Sequence, residues 1–163
     1  MSDRYPVIII GGGQAGLSVS YCLKQRGIEH IIFEQQQIGH EWRSRRWDSF
    51  CLVTPNWQCQ LPGYPYSGND PDGFMAKDEI VKYLEGYAAS FNPPLKEGVT
   101  VHKVKQTENG LFAVSTSIGE YTADRVVIAV SGYHTPKITR LAERLPAAIF
   151  QLHSSTYNNP ESL

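Results

Sequence analysis

Val7-Ile-Ile-Ile-Gly11-Gly12-Gly13-Gln14-Ala15-Gly16 sets a short apolar, β-branched run directly against a glycine-rich turn. The run starts at Tyr5, with Pro6 near its beginning, where a missing amide does least harm to a strand ladder, and it reads as a buried parallel strand. Beyond the glycines, Gln14 to Arg26 carries Ala15, Leu17, Val19, Tyr21, Cys22 and Leu23 and stops at Gly27, a usual residue just past a helix end. A second apolar run, His30 to Phe33, closes on Glu34. Strand, glycine turn, helix and strand make a βαβ unit with an expected right-handed crossover.

Gly11, Gly13 and Gly16 satisfy G-x-G-x-x-G, and Glu34 follows Gly11 by 23 positions. Each has a physical part in dinucleotide binding. Gly11 permits the tight turn, Gly13 lets backbone approach a pyrophosphate, and Gly16 lets helix pack on strand. The pyrophosphate would rest on open amides at the positive helix N-terminus. Glu34 would accept hydrogen bonds from ribose hydroxyls and repel a 2′-phosphate, so the site is expected to prefer FAD or NAD over NADP. The plainer alternative is a glycine-rich turn in some other α/β protein.

Outward from this unit, Gln35 to Met75 is rich in Gly, Pro, Trp, Tyr and Asn, with little periodicity. A loop of that length is expected to wrap a ligand or to contain short helical turns. Ala76 to Phe91 has Ile80, Val81, Leu84, Tyr87, Ala88 and Phe91 at helical spacing and ends at Asn92-Pro-Pro. Val99 to Thr107, Leu111 to Thr116 and Glu120 to Ala123, joined by turns at Glu108-Asn-Gly and Ile118-Gly, read as a three-stranded antiparallel meander, and Val126 to Val130 as a returning buried strand. The expected class is α/β: a Rossmann-like FAD/NAD(P)-binding domain with an inserted meander, spanning residues 1–163 as one domain.

Composition narrows the function. Fifteen basic and 16 acidic residues in 163 leave a formal charge of −1, which lacks the positive excess of a nucleic-acid binder. No apolar run nears the ~20 residues needed to cross a bilayer. The start, Met1-Ser-Asp-Arg-Tyr-Pro, has the charge of a signal peptide, but its apolar run breaks at once into glycines. Cys22, Cys51 and Cys59 lack metal-site spacing; no metal site and a cytoplasmic location are expected.

Several stretches, taken in order, carry a resemblance. The glycines with Glu34, then His40-Glu-Trp-Arg-Ser-Arg-Arg-Trp-Asp-Ser-Phe, Val53-Thr-Pro-Asn, Leu61-Pro-Gly-Tyr-Pro and Val126-Val-Ile-Ala-Val-Ser-Gly-Tyr-His-Thr-Pro together resemble the N-terminal FAD-binding part of the flavin-containing (class B) monooxygenases, in their bacterial flavoprotein oxidoreductase branch. In that family NADPH reduces bound FAD, and a flavin hydroperoxide oxygenates a small organic substrate. The resemblance implies that Gly11, Gly12, Gly13, Gln14, Ala15 and Gly16 hold the FAD pyrophosphate and Glu34 the adenosine ribose. It implies loop contacts from Trp42 and Arg43, an adenine contact at the backbone of Val101, and a turn at Ser131-Gly132 beside the cofactor. Asn56 matches an asparagine near the flavin and is the candidate catalytic residue.

Each has a bland counterpart. Arg43, Arg45 and Arg46 also fit a solvated basic loop, Trp42, Trp47 and Trp57 fit core anchors, and Asn56 after Pro55 fits a turn. His153 and Tyr157 partly match a family signature that precedes the NADPH fingerprint, without its upstream Phe and Gly. No second G-x-G-x-x-G occurs. The expectation is therefore the FAD-binding portion of a longer enzyme, without the NADPH-binding domain and C-terminal FAD segment, turning over poorly or not at all alone. A flavoprotein reductase or dehydrogenase and a non-catalytic nucleotide-binding module stay open; for the disulfide-reducing form the Cys51 to Cys59 spacing is unsuitable.

Overall fold

The computed structural model describes residues 3–132 and 135–162. Met1 and Ser2, and Tyr133 and His134 of the last matched stretch, lie outside the described residues. The βαβ unit forms as β1 (Asp3–Ile10), α1 (Gln14–Gln25) and β2 (His30–Phe33), with β1 and β2 parallel and Val7 opposite His30. The long loop contains a short helix, α2 (His40–Ser44), a 3-10 turn at Asn56–Gln58 and a two-residue hairpin, β3 (Gln60–Leu61) and β4 (Tyr64–Pro65). Helix α3 (Lys77–Phe91) follows. Glu79 reaches back to accept from the Ala76 amide at 2.8 Å, and Asn92 ends the helix in the left-handed region at φ 48°.

Four further strands follow, β5 (Leu95–Lys96), β6 (Val101–Gln106), β7 (Phe112–Thr116) and β8 (Gly119–Ile128), and then a tail with 3-10 turns at Ala142–Arg144 and Pro160–Ser162. The four strands join β1 and β2 in one sheet ordered β5-β2-β1-β8-β7-β6, parallel from β5 to β8 and antiparallel from β8 to β6. The sequence reading divides Glu120–Ala123 from Val126–Val130; the structure runs both into β8, which stops at Ile128. The reason is at Asp124, whose carboxylate meets Arg4 of β1 at 2.7 Å, so the polar residues between the apolar runs sit in register on the neighbouring strand instead of turning the chain. β5 was not anticipated, because two residues carry no periodicity.

Alternation divides the core as a pleated strand requires. Val7, Ile9 and Ile32 pack with Leu17 of α1 and Ile80, Leu84 and Tyr87 of α3, whereas Ile8, Ile10, Ile31 and Phe33 pack with Val114, Tyr121 and Ala123 of the meander. Phe33 and Tyr121 lie two strands apart, yet their ring centroids are 4.8 Å apart. One face is thus covered by helices and the other by the meander's own side chains. Both leave the C-terminal ends of β1, β2 and β8 open.

Candidate functional site

A cleft of about 910 Å³ lies at those strand ends, within the 300–1,000 Å³ of ligand sites generally. Its floor is the glycine turn. Gly11 has φ 106°, and a Cβ there would fall 2.5 Å from the Ala129 carbonyl oxygen beyond β8. A Cβ on Gly16 would stand 1.9 Å from the Gly11 oxygen, so Gly16 is buried beneath the cleft and does not line it. Gly13 is different: its Cβ direction meets nothing within 4 Å. It is the N-cap of α1, without a side-chain cap and without an acidic residue in the first turn, leaving the helix terminus available to an anion.

Glu34 projects from the end of β2 into the same cleft. Its Oε2 accepts from the Gly12 amide at 2.6 Å and its Oε1 from the Gln36 amide at 2.8 Å. A carboxylate has about four lone-pair sites, so both amide bonds leave acceptor capacity for diol hydroxyls. The clasp on Gly12 also ties the glycine turn to β2.

The wall comes from α2 and the residues around it. Gly39 enters α2 at φ 76°, and a Cβ there would stand 3.2 Å from Val81 of α3. Trp42 lines the cleft and packs on Phe50 at 5.6 Å between centroids. Val101 and Ser131, the latter at φ 55°, line the other side, together with Gln14 and Ala15 on the floor. Arg43 points away, donating to the Ile38 carbonyl at 2.8 Å and pairing with Glu85. Gly132 is exposed outside the lining.

Asn56 is buried and also lies outside the lining. Its Nδ2 donates to the Asp70 carbonyl at 2.9 Å, and its Oδ1 accepts from the Met75 amide at 2.8 Å, so it closes the loop before α3. His153 is engaged locally with Ser155, whose amide donates to Nδ1 at 3.1 Å. Among the described residues no cysteine lines the cleft. Burial pushes the Cys59 thiol pKa up, the opposite of what activates a thiol. Sequence reasoning did not single out Gln36, Gln37, His40, Glu41 or Val99, and left Arg45 and Arg46 as a basic loop; all line the cleft.

The sequence pattern of the pyridine nucleotide-disulphide oxidoreductases matches residues 8–162. The chain belongs to that family. Within this pyridine nucleotide-disulphide oxidoreductase family, it is 42% identical over 164 residues to the uncharacterised oxidoreductase CzcO-like of Geobacillus kaustophilus, covering 100% of this chain and 46% of the relative. It is 35% identical over 115 residues to indole-3-pyruvate monooxygenase YUCCA6 of Arabidopsis thaliana, covering 69% of this chain and 27% of that one. A mutant flavin monooxygenase from Stenotrophomonas maltophilia superposes with a TM-score of 0.82 at 28% identity, over 98% of this chain and 48% of its own. Its relatives are thus oxidoreductases and flavin monooxygenases, as the motif resemblance implied. The chain spans a little under half the length of the CzcO-like relative. Among the described residues no helix is long and apolar enough to cross a membrane.

Proposed function

We propose that the cleft binds FAD, and that residues 1–163 are the FAD-binding segment of an NAD(P)H-dependent flavoprotein monooxygenase acting on a small organic substrate. The observation that carries this reading is the meeting, in one cleft, of the open Gly13 position at the α1 N-terminus with the Glu34 carboxylate at the end of β2. The residues present fit the group: an uncapped helix terminus for its pyrophosphate, an acidic acceptor for its ribose, and enough volume for a dinucleotide. FAD, when bound, supplies electron transfer and oxygen activation.

The chain's own residues bind, orient and shield. Gly11 to Ala15 bring backbone amides up to the phosphates, and Glu34 orients the ribose while disfavouring a 2′-phosphate. Val101 and Val99 flank the ring that follows the ribose, and Trp42 screens one side from water. Asn56 acts by setting the path of the loop from 56 to 75. NADPH enters in longer relatives; these 163 residues carry one glycine fingerprint. A cytoplasmic setting belongs to the same reading, since all three cysteines are free.

The test is reconstitution of the purified chain with FAD. A protein-bound flavin absorbance that survives desalting, and that ADP displaces, supports the reading. A colourless protein indifferent to FAD would overturn it. Steady NADPH-driven substrate oxygenation by the 163 residues alone, well above free flavin, would overturn the assignment of these residues as the FAD segment only.

A further inference from the structure

Three arginines fall within four positions, and the structure sends them three ways. Arg43 pairs with Glu85 outside the cleft, and Arg45 Nε lies 3.2 Å from Glu41 Oε2. Arg46 has no carboxylate partner among the described residues. Its Nη1 donates to the Arg45 carbonyl at 2.9 Å, and its guanidinium carbon lies 4.9 Å from the Trp42 ring centroid and 5.6 Å from that of Phe50. Trp47 meets Phe50 edge-on at 4.8 Å, so the platform under the guanidinium is itself packed. Arg46 is half-buried and lines the cleft.

A cation held on two aromatic faces loses little freedom when it binds, and its remaining N–H groups still require acceptors. Neither acid of the cleft is seen to pair with it among the described residues: Glu34 accepts from the Gly12 and Gln36 amides, and Glu41 faces Arg45. The α1 terminus offers about half a positive charge, which cannot by itself match a diphosphate of two negative charges. The cleft therefore holds a preorganised cation without a carboxylate partner among the described residues, beside an under-matched anion subsite.

We propose that Arg46 is a specificity-determining residue that binds the pyrophosphate of the dinucleotide, so that the cleft selects ligands for that group and not only for the adenosine end. The proposal rests on the FAD reading above. Removal of the guanidinium should weaken every ligand that carries the pyrophosphate, make the remaining affinity less sensitive to salt, and leave adenosine untouched.

The experiment titrates wild type, Arg46→Gln, Arg46→Lys and the distant control Lys105→Gln with FAD, ADP and adenosine at several salt concentrations, with circular dichroism as the fold check. Expected for Arg46→Gln is a loss of about tenfold to hundredfold for FAD and ADP, with adenosine unchanged and a shallower salt slope. Arg46→Lys should fall between, keeping the slope; if the Gln variant fails to fold, this Lys comparison with wild type decides. Equal losses for ADP and adenosine, or no loss, overturn the proposal. Wild type that binds ADP in an Arg46-dependent way but rejects FAD supports the proposal and removes the flavin reading. Wild type that binds none of the three removes both.

Discussion

Glu34 holds two backbone amides with one carboxylate and is the acceptor proposed for the ribose. Glu34→Ala removes a charge-assisted bond to the Gly12 amide, 2.6 Å long, together with the acceptor proposed for the ribose. FAD affinity, read by flavin fluorescence, should fall by about tenfold to hundredfold, as a lost bond of ~1.5–3 kcal/mol implies. Discrimination against 2′-phosphorylated ligands should fall with it. Gly16→Ala is a structural counterpart: its Cβ would stand 1.9 Å from the Gly11 oxygen, a backbone atom that cannot step aside. The expected result is a loss of ~1–3 kcal/mol, measured as a lowered Tm, with weaker FAD binding because the turn itself must shift. At Tyr87 the sign reverses. Its ring is fully buried, and its hydroxyl meets hydrogen-bond geometry with no described residue, the nearby Ser18 hydroxyl already donating to the Gln14 carbonyl, so Tyr87→Phe should leave Tm unchanged or raise it. Burial pushes the Tyr87 phenol up to about 12, above the ordinary 10.0 it regains on unfolding. Below pH 10 it therefore contributes no pH dependence. Between pH 10 and 12 the unfolded chain ionises first, and stability falls as pH rises; the Phe variant should lose that part of the slope in alkaline denaturation. These residues differ in how far the sequence announced them. Gly11, Gly16 and Glu34 stand at spacings that the chemistry itself imposes. Arg46 and Gln36 do not, because their direction depends on how the chain turns at Gly39 and on which side of α2 the following loop falls.

Short elements show the same division. β1, α1, β2 and α3 are long enough for periodicity to reveal them, whereas β3, β4 and β5 have two residues each and are fixed by partners far along the chain. The hairpin of β3 and β4 is pinned by the Tyr83 hydroxyl, which accepts from the Leu61 amide at 3.2 Å and has the Tyr64 and Cys59 carbonyl oxygens at 2.5 and 2.9 Å to share its one proton. The tail is held in a comparable way. The Asp48 amide donates to the Asn158 carbonyl at 2.8 Å, and the Asp48 carboxylate accepts from Asn159 Nδ2 at 3.1 Å and from Lys77 Nζ at 3.0 Å. Asn159 and then Lys77 lower the Asp48 pKa from its usual 3.8. A lowered carboxylate contributes its stability above the unfolded value and loses it as pH falls through the folded one. Tail anchoring should therefore be complete above about pH 4 and weaken in stronger acid, while Asp48→Ala should release the tail at neutral pH. Hydrogen exchange and limited proteolysis of residues 150–162 read this directly. Tail protection that is the same in wild type and Asp48→Ala would remove the latch.

The two packed faces of the sheet make the molecule a frame around its open end. A ligand that joins the α1 terminus, β2 and the wall at Trp42 should stabilise all of it at once. FAD at about 100 times its dissociation constant should add ~2.7 kcal/mol. Differential scanning calorimetry should show Tm rising with FAD and not with riboflavin, which lacks the adenosine and the pyrophosphate. No rise with saturating FAD would contradict binding at the cleft. The architecture itself was legible because strand, turn and helix signals all agreed. What stayed hidden was how the meander joins the parallel sheet. Asp124 and Arg125 resemble a turn in one dimension, and only the pairing of Asp124 with Arg4 shows that they belong to a single strand.

That strand makes the meander a ruler for the glycine turn. β8 is registered on β7 from Gly119 to Ala123 and on β1 from Tyr121 to Ile128, and one residue later the Ala129 carbonyl presses on Gly11. Adding or removing a single residue inside β8, between Ala123 and Ile128, would put a choice to the strand. It could keep its grip on β7 and misplace Ala129, or keep Ala129 and turn Tyr121 and Ala123 out of the core. The number of residues between the meander pairing and the end of β8 is thereby set by the geometry of one glycine on the neighbouring strand.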